Sequence, residues 1–153
     1  TVLAVPEPMA AECLSPEEIR GFKEEGIVSL RPFSGCPFVR MDADTWMGEQ
    51  FDRYCREDGF DPKIFVISQS VLTVLECCAE GIGATLVPAG YLDHLTAEQR
   101  RGMVFFRWRY PDVTLLGAVL HLKSSYITKA AMDFVKCSQK ICGEEESLWN
   151  GFF

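Results

Sequence analysis

The segment from Asp58 to Pro88 constrains this chain more than any other. Gly59 is a natural stop for a helix that runs up to Asp58. Lys63-Ile-Phe-Val-Ile-Ser68 is β-rich and almost continuously apolar, the pattern of a parallel strand covered on both faces. Ser70 is placed to cap a helix over 71–80, with Val71, Leu72, Leu75 and Cys78 or Ala79 facing inward. Gly81-Ile-Gly83 turns the chain, and Ala84-Thr-Leu-Val87 forms a strand closed by Pro88. A strand, a helix and a strand in that order predict an α/β fold with a largely parallel sheet.

The flanks extend the alternation. Thr1 to Val5 reads as a strand stopped by Pro6 and Pro8. Ser15-Pro-Glu-Glu18 carries a capping box with proline at the first helical position, so a short helix starts there. Ile27 to Leu30 reads as a second strand, followed by the breaker-rich loop Arg31-Pro-Phe-Ser-Gly-Cys-Pro37. From about Asp44 to Asp58, Met47, Phe51, Tyr54 and Cys55 recur at helical spacing, with Trp46 at the start of the apolar face. Ala89 to Leu95 is a short helix, and Thr96 to Gly102 a polar surface segment. Met103 to Trp108 and Val113 to Leu122 are strands, and Thr128 to Cys142 a last helix with Ala131, Phe134, Val135 and Cys142 inward. Gly143 to Ser147 is an acidic tail and Leu148 to Phe153 an apolar end.

Composition excludes several classes. With 48% hydrophobic and 24% charged residues, most of the 153-residue chain can build a core. No apolar stretch is long enough to span a bilayer, and Thr1 to Ala10 shows no export signal. A formal charge of −7 makes the chain a poor nucleic-acid binder by itself. Seven cysteines, an odd number with a vicinal Cys77-Cys78 pair, fit reduced thiols better than a secreted disulfide framework. None is spaced as CxxC, and no metal site is expected.

The run Asp58-Gly-Phe-Asp-Pro-Lys-Ile-Phe-Val-Ile-Ser-Gln-Ser-Val-Leu-Thr-Val-Leu-Glu-Cys-Cys-Ala-Glu-Gly-Ile-Gly-Ala-Thr-Leu-Val-Pro88 resembles the effector-binding domain of LysR-type transcriptional regulators. That family has the two-lobed fold of type II periplasmic binding proteins. Thr1 to Pro8 resembles the family strand that enters the second lobe, and Leu14 to Phe22 the short helix after it. Leu116 to Cys142 resembles the closing strand and long helix. The resemblance implies one complete lobe, residues 1–112, plus the last strand and helix of the other, 113–142, then a tail, 143–153. A full two-lobed domain is roughly 200 residues, beyond the usual size of one compact unit. A fragment or a truncated relative is therefore expected, with the winged helix-turn-helix and half of the first lobe outside the chain. Val113 to Leu122 would lack sheet neighbours and is expected to be covered by a second copy or by rearranged packing.

In such folds the ligand sits at strand ends and helix N-termini. The resemblance implies two effector-binding loops. One is Arg31, Phe33, Ser34 and Gly35, expected to precede a helix, with Arg31 available to a carboxylate. Cys36-Pro37-Phe38 departs from the family there, which usually starts its helix sooner after the glycine. The other is Ser68, Gln69 and Ser70. Bland readings stand beside these: Ser70 as a plain N-cap, Ser34-Gly35 as a turn, and Phe33 with Phe38 as packing. Gly81-Ile-Gly83 is a helix C-cap, because a dinucleotide loop runs from strand to helix. The aromatic run Phe105, Phe106, Trp108 and Tyr110 with Arg107 and Arg109 reads as strand core with flanking charge. His94 is expected to be exposed and His121 to be structural, and no nucleophile or acid/base set stands out.

The expected function is thus the cytoplasmic, dimeric sensor of a regulator that takes a small-molecule effector such as a carboxylate. DNA would be contacted only through the absent helix-turn-helix. No enzyme activity, cofactor or membrane partner is expected. The alternative is a solute-binding protein of the same fold.

Overall fold

The computed structural model describes residues 1–109 and 126–148, with side chains to 141. It divides into two units, Thr1–Pro111 and Asp112–Phe153. The first strand, β1 (Val2–Pro6), is buried at every position. It pairs antiparallel with β4 (Thr85–Val87) on one edge and β5 (Met103–Arg107) on the other, so Leu3 lies between Leu86 and Phe106. A second ladder joins β2 (Pro37–Met41) and β3 (Lys63–Ser68) in parallel, from Pro37 opposite Lys63 to Met41 opposite Ser68.

One parallel bridge, Phe38 to Ala84, connects the two ladders. It is held by Val39 N–H donating to the Ala84 carbonyl at 2.9 Å and Ala84 N–H to the Pro37 carbonyl at 2.8 Å. A Cβ at Gly83 would stand 2.8 Å from the Pro37 oxygen, so glycine permits this approach. The strands therefore follow the order β3-β2-β4-β1-β5, and all but β1 run the same way. The largely parallel sheet is present in strand direction, although the hydrogen-bonded pairs around β1 are antiparallel.

Helices cover this framework. Pro8 falls in the first turn of α1 (Glu7–Cys13), where a missing N–H costs nothing, so the proline pair that reads as a stop starts a helix. Ser15 and Glu18 form the predicted capping box of α2 (Pro16–Glu25), whose Phe22 meets Phe106 edge-on at 6.3 Å. Thr45 caps α3 (Trp46–Asp58), which buries Met47, Phe51, Tyr54 and Cys55 and ends at Gly59 with φ 60°. Trp46, by contrast, stays partly exposed. Ser70 caps α4 (Val71–Ala79) by accepting from Thr73 N–H. The polar segment after a 3₁₀ stretch over Ala89–His94 is a short helix, α5 (Ala97–Arg101), closed by a Thr96–Gln99 capping box. His94 is exposed, stacked loosely on Tyr91.

Four sequence readings are corrected. Ile27–Leu30 is no strand: only Ile27 bridges to Trp108. The loop after it leads into β2 rather than into a helix. On α4 the buried residues are Val74, Leu75 and Cys78, with Leu72 turned out, one step round the helix from the expected face. Lys63–Ser68 is not covered on both faces, since Phe65 and Ile67 are 56% and 52% exposed.

In the second unit, α6 (Lys129–Leu148) runs through the segment read as an acidic tail. Ala131 and Phe134 are exposed and Val135 is half-buried; the Cys142 side chain lies outside the described residues. The predicted strand 113–122, His121, Tyr110 and the apolar end 149–153 also lie outside them.

Candidate functional site

The two loops chosen from the sequence fall at different ends of the parallel pair. A strand rises about 3.3 Å per residue, so the five residues of β2 set its ends roughly 13–16 Å apart. Arg31–Cys36 enters β2 at its N-terminal end. Ser68–Ser70 leaves β3 at the C-terminal end, beside Met41.

At the first end the side chains serve the fold. Arg31–Phe33 is a 3₁₀ turn. Phe33 is fully buried, 5.3 Å from the Phe106 ring, and does not line a cleft. Arg31 is tied to the end of α3: its Nε donates to the Asp58 carbonyl at 2.6 Å and lies 3.5 Å from Asp58 Oδ1. A cation suits a helix C-terminus. Asp58 Oδ2 in turn accepts from Ser29 Oγ at 2.7 Å and Leu30 N–H at 2.9 Å, which fixes the turn. Ser34 and Gly35 are exposed on the same loop.

At the second end, two helix N-termini converge on two parallel strand ends. Asp42 N–H donates to the Ser68 carbonyl at 2.9 Å and locks the loops together. Thr45 Oγ1 donates to the Asp42 carbonyl at 2.6 Å and accepts from Gly48 N–H at 3.1 Å. Asp42 Oδ1 accepts from Asp44 N–H at 3.1 Å. A Cβ at Gly48 would overlap the Asp42 carbonyl, so glycine lets this loop lie on the first turn of α3. Ser68 Oγ accepts from Ser70 N–H at 3.1 Å, and Ser70 Oγ from Thr73 N–H at 3.3 Å. Gln69 and Ser70 are exposed and Ser68 is half-buried. The unused N–H groups of both first turns give this corner a positive potential, while Asp42 and Asp44 border it with negative charge.

Of the seven residues chosen from the sequence, this corner holds Ser68, Gln69 and Ser70. Sequence reasoning missed Asp42, Asp44 and Thr45. Their signal was an Asp-x-Asp-Thr run between β-rich Phe38–Met41 and an amphipathic helix. A cavity of about 420 Å³ lies elsewhere, lined by Ala11, Leu14, Pro16, Ile19 and Arg20 of the α1–α2 region. Among the described residues no group of three or more His, Cys, Asp or Glu is placed to hold a metal, and no helix is long and apolar enough to cross a membrane.

A sequence model of the LysR substrate binding domain matches residues 12–142. The chain belongs to this family. Solved structures agree on the fold. The effector binding domain of QuiR in complex with shikimate superposes with a TM-score of 0.52 at 14% identity, covering 88% of this chain and 57% of that one. The effector domain of the regulator AmpR of Pseudomonas aeruginosa gives 0.54 at 19% identity, covering 94% and 62%. The BenM effector binding domain with benzoate gives 0.50 at 20% identity, covering 72% and 45%. No curated protein matches the sequence. This LysR domain has the type II periplasmic-binding-protein-like α/β fold, and it spans about half the length of the structures it matches. Those neighbours are regulatory effector-binding domains.

Proposed function

We propose that this chain is the small-molecule-sensing part of a LysR-type transcriptional regulator, acting in the cytoplasm and without catalysis. Residues 1–112 are read as its second lobe and 113–142 as elements of the first. DNA contact falls to a separate helix-turn-helix, in keeping with the charge of −7 on this chain. The family match favours this reading over a solute-binding protein.

One observation carries it: Thr45 and Ser70 cap two helices whose N-termini meet at the ends of β2 and β3. That arrangement offers the N–H groups of both first turns and the Ser70 hydroxyl to a ligand oxygen, the Thr45 hydroxyl being spent on the Asp42 carbonyl. Arg31 sits at the other end of the strands, so the charge of a carboxylate effector is met here by backbone dipoles. Asp42 and Asp44 favour a singly charged, hydroxyl-bearing molecule over a polyanion. Effector binding then biases the arrangement of lobes through its different affinity for each.

The test is amide chemical-shift mapping of the chain during titration with shikimate, benzoate and a tricarboxylate. Shifts over residues 42–46 and 68–71, larger for the monoanions, are expected. No movement at either loop with any of the three sinks the reading.

The homo-oligomer belongs to the same proposal. Among the described residues β3 pairs with one strand only, and one face of it, beside that open edge, carries exposed Phe65 and Ile67. A second copy is the occupant that meets an open strand edge with an identical one. Sedimentation should show self-association that Phe65→Glu abolishes; a monomer at all concentrations would refute it.

A further inference from the structure

Of the six cysteines described, four are accounted for by packing or exposure, among them Cys77, half-buried on α4. Cys78 is buried on α4 against the sheet and donates to the Ala4 carbonyl at 3.4 Å. Cys55 is buried on α3, and Cys137 is exposed on α6. Cys13 and Cys36 are arranged differently. Their Sγ atoms stand 2.8 Å apart, although 23 residues separate them in the chain. That is closer than two non-bonded sulfurs ordinarily approach, and a disulfide needs about 2.05 Å.

Both sulfurs are held from well-packed elements. Cys13 is the last residue of α1, anchored by buried Ala10. Cys36 follows the 3₁₀ turn that buries Phe33. Its N–H donates to the Phe33 carbonyl at 2.9 Å, and its Sγ lies 3.8 Å from the Met9 carbonyl. Accessibility differs between them: Cys36 is buried, and Cys13 is half-exposed. One sulfur can be reached from solvent, and the other waits behind it.

We propose that Cys13 and Cys36 form a reversible dithiol–disulfide site whose oxidant is a low-molecular-weight disulfide, RSSR. The Cys13 thiolate attacks one sulfur of RSSR. A Cys13–S–S–R bond forms, the S–S bond of the oxidant breaks, and one RS⁻ departs with the electron pair. Cys36 attacks Cys13 Sγ, and its proton passes to the second RS⁻ as that group leaves. The intramolecular disulfide forms, and the first RS⁻ takes from solvent the equivalent of the proton Cys13 gave up. Two protein thiols are oxidised and RSSR is reduced to two RSH. Burial, and then the Cys13 thiol against it, push the Cys36 thiol up, so Cys36 attacks only a sulfur already in contact. The crosslink ties α1 to the loop that enters β2, at the end of the sheet away from Ser68–Ser70. It does not depend on the effector reading.

The probe is oxidised glutathione. The 153-residue chain is incubated with it, quenched in acid, alkylated and mapped by peptide mass spectrometry. The Cys13–Cys36 peptide should exceed any other crosslink by about tenfold, and excess reduced glutathione should reverse it. Cys36→Ser should stop at a glutathione adduct on Cys13, and Cys13→Ser should leave Cys36 reduced. Circular dichroism of the reduced variants checks folding, and if either misfolds the wild-type map alone decides. An adduct on Cys13 that never closes in the wild type overturns the proposal. So does oxidation confined to Cys137 or to other pairs.

Discussion

β1 and β3 are both short apolar strands, yet they live in opposite surroundings. β1 is hydrogen-bonded on both edges and buried at every residue, with Leu3 between Leu86 and Phe106. β3 has one partner among the described residues and leaves every second side chain open. Near-continuous hydrophobicity therefore has two causes in this chain. In β1 it reflects burial on both faces. In β3 it reflects one face under α4 and another free for a partner. The first strand is scaffold; the second carries the corner at Ser68–Ser70 and the candidate self-association edge.

Substitutions can break that comparison. The largest loss is expected from Leu3→Ala, which leaves a cavity among Leu86, Phe106 and their neighbours. It should cost about 2–5 kcal/mol in denaturant unfolding. Gly48→Ala comes next, at about 1–3 kcal/mol, because the new methyl must push the Asp42 loop off α3. Its second signature is local: amide shifts should spread over 41–48 and 68–70, since Asp42 is bonded to Ser68.

Alkaline pH should act through buried thiols such as Cys55, pushed up to about 12 by burial and by nearby Asp52. An unfolded thiol loses its proton near pH 9 while the folded one keeps it. The stability this confers is whole below pH 9 and is lost as pH rises towards 12. Thermal midpoints should fall across that window, and less steeply for Cys55→Ala. The smallest change is expected from Phe65→Ser with Ile67→Ser, within about 0.5 kcal/mol per site at protomer concentrations too low to associate. A loss as large as that of Leu3→Ala would show that this face of β3 is covered, and the contrast would collapse.

Local signals in the sequence were legible where side chain and backbone act within a few residues. The Ser15–Glu18 box, the Ser70 cap and the Gly59 stop are such cases, and each lies where expected. What depends on distant neighbours was not. Ile27–Leu30 has strand composition but finds a partner only at Ile27, while Phe38–Met41, behind a proline, gains β3 and becomes the strand. That exchange moved the candidate site. With Ile27–Leu30 taken as the strand, Arg31–Gly35 looked like a strand-end loop; with β2 in place, that role passes to Asp42–Thr45. The fate of Arg31 was equally hidden, because its partner Asp58 lies 27 residues away.

The bridge between Phe38 and Ala84 has a mechanical consequence. Two backbone hydrogen bonds form a seam across an otherwise continuous sheet, and α4 lies over it, touching β2 and β3 on one side and β1 and β4 on the other. The helix works as a splint across a joint. Its Ser70 end stands at the Ser68–Ser70 corner and its far end runs into the Gly81–Gly83 turn that feeds the seam. A pull at Ser70 therefore loads both plates of the sheet at once.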